Sequence, residues 1–425
     1  MNCALEGLRV LDFTTTIAGP HCTRLLADLG AEVIKIEPPE GEMMRSRTPL
    51  RNGASTSFGQ LNAGKKSIAL DLKSPAGVEA VRRLVATADV VAENFRPGVM
   101  RRFGLDYETL KPLRPELIYC AISGYGQTGP SAELPAYAPV IHAASGYDLA
   151  HMAYQGEARR PDYCGIYIAD VLTGTYAFGA IMTALYQRQA SGEGQMIDVS
   201  MLDSMLSLTL SEIQNAQFAV APPGRPIFGP IATADGWINL SIASERTFRS
   251  LAAASGHPQW LSDPRFAEYN NRRANWGELI EELERWSTEH RTDEVQAIFD
   301  RHGVPSSPYR TVKEAMADPQ IGHRQAFGEV HDAGGTFQAL NPPFRMSATT
   351  ATARPHVAAL GEHSAELLAE IGYNPTEIAA MVASSIPVAA GSPGPLPAPR
   401  LQFRSPRTGR RARSLRRPQS RSVPE

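Results

Sequence analysis

Along the N-terminal part of the chain, short apolar runs alternate with segments whose apolar residues recur every three or four positions. Residues 8–13 (Leu-Arg-Val-Leu-Asp-Phe) read as a buried strand, and Gly19-Pro20 opens a helix over 21–29 that Gly30 ends. The runs at 31–36, 67–72, 89–95 and 117–123 predict further strands. Ser74-Pro75 starts a helix that puts Val78, Val81, Leu84 and Val85 on one face. Strands separated by amphipathic helices predict parallel βαβ units, and so an α/β domain with an open parallel sheet.

A long helix is expected over 170–189, stopped by Ser191-Gly192-Glu193-Gly194. A short alternating segment follows at 196–200, then another helix through 206. The pattern changes at Pro222-Pro223-Gly224-Arg225-Pro226, a crossing into a smaller α+β domain. There Ala234-Asp235-Gly236 has hairpin chemistry, with 237–242 as the second strand and helices over 245–255, 276–289 and 292–302. We expect a large domain over 1–220, a small domain over 221–325 and a return to the large domain over 326–386. The Pro/Arg-rich tail at 387–425 is too poor in apolar residues to order itself, and reads as a dispensable extension.

Net charge is only -2 over 425 residues, which hides an asymmetry. Residues 391–425 hold nine arginines and one acid and carry +8, leaving -10 on the remainder. A mildly acidic body offers no broad footprint for nucleic acid. The cysteines, Cys3, Cys22, Cys120 and Cys164, form no CxxC pair and no metal-ligand spacing. We therefore expect no metal, and reduced thiols in a cytoplasmic protein. No signal-peptide pattern precedes the first strand, and no uninterrupted apolar run of about 18 residues exists, so no membrane span is expected.

Several segments carry candidate chemistry. Residues 124–129 (Gly-Tyr-Gly-Gln-Thr-Gly) fit G-x-G-x-x-G after a strand, but Pro130 and Pro135 stand where a dinucleotide site needs a helix N-terminus. A loop lining some other ligand, or a plain turn, fits better. Lys65 and Lys66, just before a strand, read as phosphate contacts or as a solvated loop. Residues 93–98 (Glu-Asn-Phe-Arg-Pro-Gly) end a strand, where open α/β sheets bind ligands, and offer a stacking ring and a cation. Asp170 lies in an apolar run at the start of the long helix, where free N–H groups and the dipole favour an anion. It reads either as an N-cap or as an ionised site residue. The ten histidines form no HExxH set, and there is no G-x-S-x-G elbow and no P-loop.

Taken in order, the segments at 5–13, 18–20, 29–37, 62–73, 93–98, 123–126, 169–170, 192–195 and 360–363 resemble the class III CoA-transferase family. That family includes formyl-CoA, carnitine and dicarboxylate CoA-transferases and shares a superfamily with α-methylacyl-CoA racemases. The resemblance runs from about Leu5 to Met381. It implies a Rossmann-like large domain, a small domain and an interlocked homodimer. It implies a catalytic aspartate at Asp170 and CoA contacts at Ile17, Ala18, Leu70, Asp71, Leu72, Lys73, Asn94, Phe95, Arg96, Arg102 and Tyr137. Oxalate-using members carry Gln at the position of Ile17 and basic residues at those of Pro38 and Pro135, and a glycine-rich loop that has no match at 219–232. These departures argue against formyl or oxalyl specificity.

The expected activity is transfer of CoA from an acyl-CoA donor to a free carboxylic acid, through an aspartyl anhydride and an aspartyl-CoA thioester. Coenzyme A is then a substrate, and no tightly bound cofactor is needed. The rival is a 2-methylacyl-CoA racemase, which needs a second proton carrier. Related racemases have His where this chain has Tyr137, a poor base at neutral pH; His142 is a substitute we expect to face elsewhere. A non-catalytic CoA-binding protein is the third reading, in which Asp170 is only a cap. Tyr154, Arg159 and Arg160 are candidates to meet a second carboxylate, favouring a dicarboxylate acceptor.

Overall fold

The alternation read from the sequence produces a six-stranded sheet in a computed structural model that describes residues 3–155, 160–161, 164–218 and 228–385. Its strands are β1 (Arg9–Asp12), β2 (Glu32–Glu37), β3 (Lys66–Ala69), β4 (Val90–Glu93), β5 (Ile118–Ser123) and β6 (Gln195–Ser200). They run in the order β3-β2-β1-β4-β5-β6, and every neighbouring pair is parallel. This is the Rossmann-like order, with its topological switch between β1 and β4.

Strand residues alternate between two cores. Leu11, Ile34, Ile68, Val91 and Tyr119 pack with helix α2 (Pro75–Val85) on one face. Val10, Val33, Val90, Ile118 and Cys120 pack with α1 (Ala18–Asp28) on the other. The start of α2 follows local chemistry: Ser74 caps it by accepting the Gly77 N–H, and Pro75 fills its first turn.

Between β5 and β6 lie α3 (Ala138–Ala144) and α4 (Ile168–Ser191), and α5 (Met201–Leu206) follows β6. Among the described residues α4 is the one helix long and apolar enough to cross a membrane by length and composition. It packs on α1 and the sheet through Thr173, Gly174, Ala177, Ile181 and Ala184. The spacing placed its start at Asp170; the helix begins two residues earlier, because the Val171 N–H already bonds the Tyr167 carbonyl.

A three-stranded antiparallel sheet, in the order β9-β8-β7, comprises β7 (Phe228–Ala232), β8 (Trp237–Ser241) and β9 (Ser306–Pro308). It packs against α6 (Glu245–Ala254), α7 (Trp276–Ser287) and α8 (Thr292–His302) around Ile238, Phe248, Trp260, Trp276 and Phe299. The hairpin β10 (Phe327–Asp332) and β11 (Gly335–Leu340) then packs on Phe58, and α9 (Ser364–Glu370) joins the first core through Leu367 and Leu368. The change of pattern at 222–226 and the tail at 387–425 lie outside the described residues.

Candidate active site

The site grows from the ends of β1 and β4. Asp12 is fully buried at the end of β1, and its carboxylate accepts from the Thr14 N–H and hydroxyl, the Thr23 hydroxyl and the Lys65 ammonium at 2.9 Å. Burial pushes the Asp12 carboxyl up, but Lys65, Lys35 and Thr14 together hold it at about 2. Lys65 is therefore neither a solvated residue nor a ligand contact. It is a buried cation that also donates to Thr23, Asn62 and the Pro20 carbonyl, and burial draws it down to about 8. Lys66 bridges Glu32 and Glu366. The motif at 29–37 belongs to the same support: Lys35 donates to the Thr14 carbonyl and pairs with Glu42, and Glu37 pairs with Arg45.

This platform carries the loop Thr14 to Ile17. Thr16 has a left-handed backbone (φ 70°), held by a 2.6 Å bond from its N–H to Glu42. Across the switch point Asn94 clasps the same loop, accepting from the Thr15 N–H and donating to the Thr15 carbonyl, both at 2.8 Å. Asn94 thus orders the pocket wall as well as lining it. The preceding Glu93 is buried, accepts the Phe95 N–H, and is pushed by burial up to about 8, so it is mostly a neutral acid at pH 7.

Ile17, Ala18, Asn94, Phe95, Arg96, Tyr137 and Asp170 meet around one cavity of about 510 Å³. Met43, Arg47, Ser123, Gly124, Leu134 and Met201 also line it. Leu70 is in the core, Lys73 and Arg102 are exposed, and none of these three, nor Asp71 or Leu72, lines this cavity. All five follow the carboxyl ends of β3 or β4, on the cavity's side of the sheet.

Asp170 is the third residue of α4, inside the first turn and not its cap. Gly174, one turn on, explains its placement: a Cβ there would sit 2.4 Å from the Ala18 carbonyl, so only glycine lets α4 approach α1 this closely. The Asp170 carboxylate makes no hydrogen bond or ion pair among the described residues. We expected the helix N-terminus to keep it ionised at neutral pH. Burial raises its pKa to about 6, which still leaves it about nine-tenths ionised at pH 7.

His142 lies off the cavity, buried behind its wall, where its Nε2 accepts the Ala169 N–H at 3.2 Å. It does not line the cavity, and burial lowers its pKa, so it stands as a neutral acceptor at the helix start and not as a proton carrier opposite Asp170. The loop at 124–129 receives the Asp198 carboxylate on the Gln127 N–H at 2.9 Å, and the next helix is α3, so no dinucleotide cradle forms. The Tyr154 hydroxyl is engaged by Glu212, Arg160 also has a partner, and Arg159 and most of the region of the missing glycine-rich loop lie outside the described residues. The motif at 360–363 is structural: Gly361 and His363 donate their N–H groups to Ser67 and lock β3.

Sequence reasoning missed Thr15, Thr16, Arg47 and Ser123 as parts of the wall. Ser123 ends β5, is 7% exposed, and its hydroxyl has no hydrogen-bond partner among the described residues. Arg47 follows the 3₁₀ turn Met43–Ser46, and its guanidinium makes no hydrogen bond or ion pair among the described residues.

The family profile described as CoA-transferase family III matches residues 5–364. The chain is 35% identical over 385 residues to the succinate–glutarate CoA-transferase of Agrobacterium fabrum, covering 86% of this chain and 95% of the relative. It is 36% identical over 396 residues to the succinyl-CoA–D-citramalate CoA-transferase of Chloroflexus aurantiacus, covering 90% and 98%. Its fold matches the crystal structure of a CaiB/BaiF family protein from Brucella suis with a TM-score of 0.77 and 34% identity, over 87% of this chain and all of that one.

Proposed function

Because the chain belongs to CoA-transferase family III, we propose that Asp170 is the nucleophile that carries CoA between two carboxylic acids. The observation that carries this reading is a carboxylate with no partner among the described residues, in the wall of a cavity at the sheet's switch point.

The steps balance without a proton or ATP. An Asp170 oxygen attacks the thioester carbonyl, the carbon–sulfur bond breaks, and CoA leaves as a thiolate. The thiolate attacks the aspartyl carbonyl of the mixed anhydride, releases the donor acid as carboxylate, and leaves Asp170 as a CoA thioester. The acceptor carboxylate attacks that thioester, and the returning thiolate takes the new acyl group, regenerating Asp170. Ile17, Ala18 and Met201 put buried apolar surface in the wall, which we assign to limiting water at the anhydride. Gly124 lines the same cavity as Asp170, and we assign its N–H to the developing oxyanion.

Coenzyme A is the carried group. Arg96, Arg102 and Lys73 suit its phosphates, and Phe95 its ring, along the carboxyl ends of β3 and β4. The relatives above are named for succinate, glutarate and D-citramalate. We infer a dicarboxylate acceptor here too. We also read 1–220 and 326–386 as a large domain and 221–325 as a small one, in a homodimer. Exposed Ile166, Tyr186 and Leu210, on and around α4, are the faces a second copy would cover. Four free cysteines fit a reducing cytoplasm.

The test is Asp170→Ala, assayed by mass spectrometry for exchange of CoA between an acyl-CoA and an isotopically labelled acid. Exchange disappears while CoA binding, read by calorimetry, persists. Exchange near the wild-type rate would reject the assignment.

A further inference from the structure

We propose that Arg47 is the subsite for the remote carboxylate of the acceptor acid, and that it makes this enzyme select dicarboxylates over monocarboxylates of equal chain length. The inference rests on the transferase reading above and names the residue that would set its acid class.

The charged groups in the cavity wall are Asp170, Arg96 and Arg47. Asp170 reacts with one end of the acid. Arg96 belongs to the loop after β4, on the side assigned to CoA. Arg47 comes from a different element, the turn Met43–Ser46, and its guanidinium is uncommitted among the described residues. Much of the remaining wall is apolar. A second carboxylate brought into such a cavity loses water and gains nothing unless a cation receives it, whereas the methyl end of a monocarboxylate loses nothing there. A planar guanidinium takes a carboxylate through two parallel N–H bonds, so it selects for geometry as well as charge.

The turn that carries Arg47 is fixed to the catalytic loop. Neighbouring Arg45 holds Glu37 through two bonds of 2.6 and 2.7 Å and lies over the Phe58 ring. Glu42, at the start of the turn, accepts the Thr16 N–H and pairs with Lys35. Met44 is buried beside Phe58. The segment is therefore anchored just before Arg47, whose exposed side chain makes no hydrogen bond or ion pair among the described residues. Arg45 holds the turn in place, and Arg47, two residues on, lines the cavity.

The experiment is internal competition. Wild type and Arg47→Met are given succinyl-CoA with equal glutarate and valerate, acids of the same carbon count, and the two product CoA esters are quantified by mass spectrometry. Their ratio cancels effects on the donor half-reaction. We expect glutaryl-CoA to dominate with wild type, and the ratio to fall by about tenfold in Arg47→Met, with Arg47→Lys between them, as loss of a charge-assisted pair to an exposed guanidinium implies. A ratio that stays within about threefold of wild type would overturn the proposal. In parallel, glutarate and valerate are titrated calorimetrically into both proteins saturated with CoA. Selective loss of glutarate binding in Arg47→Met supports the subsite even if no CoA ester forms; equal binding of both acids by wild type refutes it. Absence of any CoA ester with wild type would instead defeat the transferase reading, so the two failures are distinct.

Discussion

Asp170 and His142 do their work as single residues whose environment sets their protonation. Burial raises Asp170 to about 6, so, with Asp170 as the proposed nucleophile, the rate should fall as pH drops below that value, close to tenfold per unit. The same shift has a stability consequence of opposite sense. An acid whose pKa is higher in the folded than in the unfolded state favours folding while protonated, and that contribution is lost as pH rises through about 6. Asp170→Asn should therefore raise the melting temperature at pH 8, by an amount equivalent to about 1–3 kcal/mol, with the gap shrinking toward pH 5. A gap that widened toward pH 5 would mean the carboxylate has a stabilising partner after all. At His142, replacement by Ala leaves a helix-start N–H unbonded, which costs about 1–3 kcal/mol. Transfer should fall mainly in kcat, and Gln, which offers an acceptor oxygen, should recover part of it; equal defects in both variants would remove the hydrogen bond from the explanation. Asp170 stood out in the sequence as a carboxylate in an apolar run. The partner of His142 did not, because it lies 27 residues away on another helix.

At the scale of elements, the site depends on α4 reaching α1. The contact is narrowest at Gly174, where an added methyl would meet the Ala18 carbonyl backbone and could not be relieved by a side-chain rotation. Gly174→Ala should push the two helices apart, destabilise the fold by about 1–3 kcal/mol and reduce activity more than a surface change such as Gly179→Ala on the same helix, where no neighbour lies within 4 Å. Thermal melts and turnover of the two variants decide this; matching behaviour would contradict it. Most strands and helices were legible because their signals are local: Ser74-Pro75 capping α2, and the turn at 234–236 joining β7 to β8. Lys65 was misread because its burial is made by Asp12, 53 residues away, and no local pattern marks a lysine destined for the core. The early start of α4 escaped for the same reason, since its first turn is secured in part by His142.

For the whole molecule, the parallel sheet followed from the alternation of strands and amphipathic helices, but the strand order and the switch point between β1 and β4 did not, because register between distant strands leaves no trace in local periodicity. The proposed dimer makes a claim at this scale. Light scattering should give a mass of about twice 46.1 kDa, and charge placed at Tyr186 and Leu210 together should lower it toward one copy. A wild-type monomer with full activity would contradict the dimer. The account as a whole turns on whether CoA becomes bonded to the chain. Wild-type protein incubated with acyl-CoA, quenched with borohydride and digested, should yield an Asp170 peptide reduced to the alcohol, and no such peptide without acyl-CoA. Full turnover with that peptide unmodified, or with the adduct on a different residue, would contradict the account.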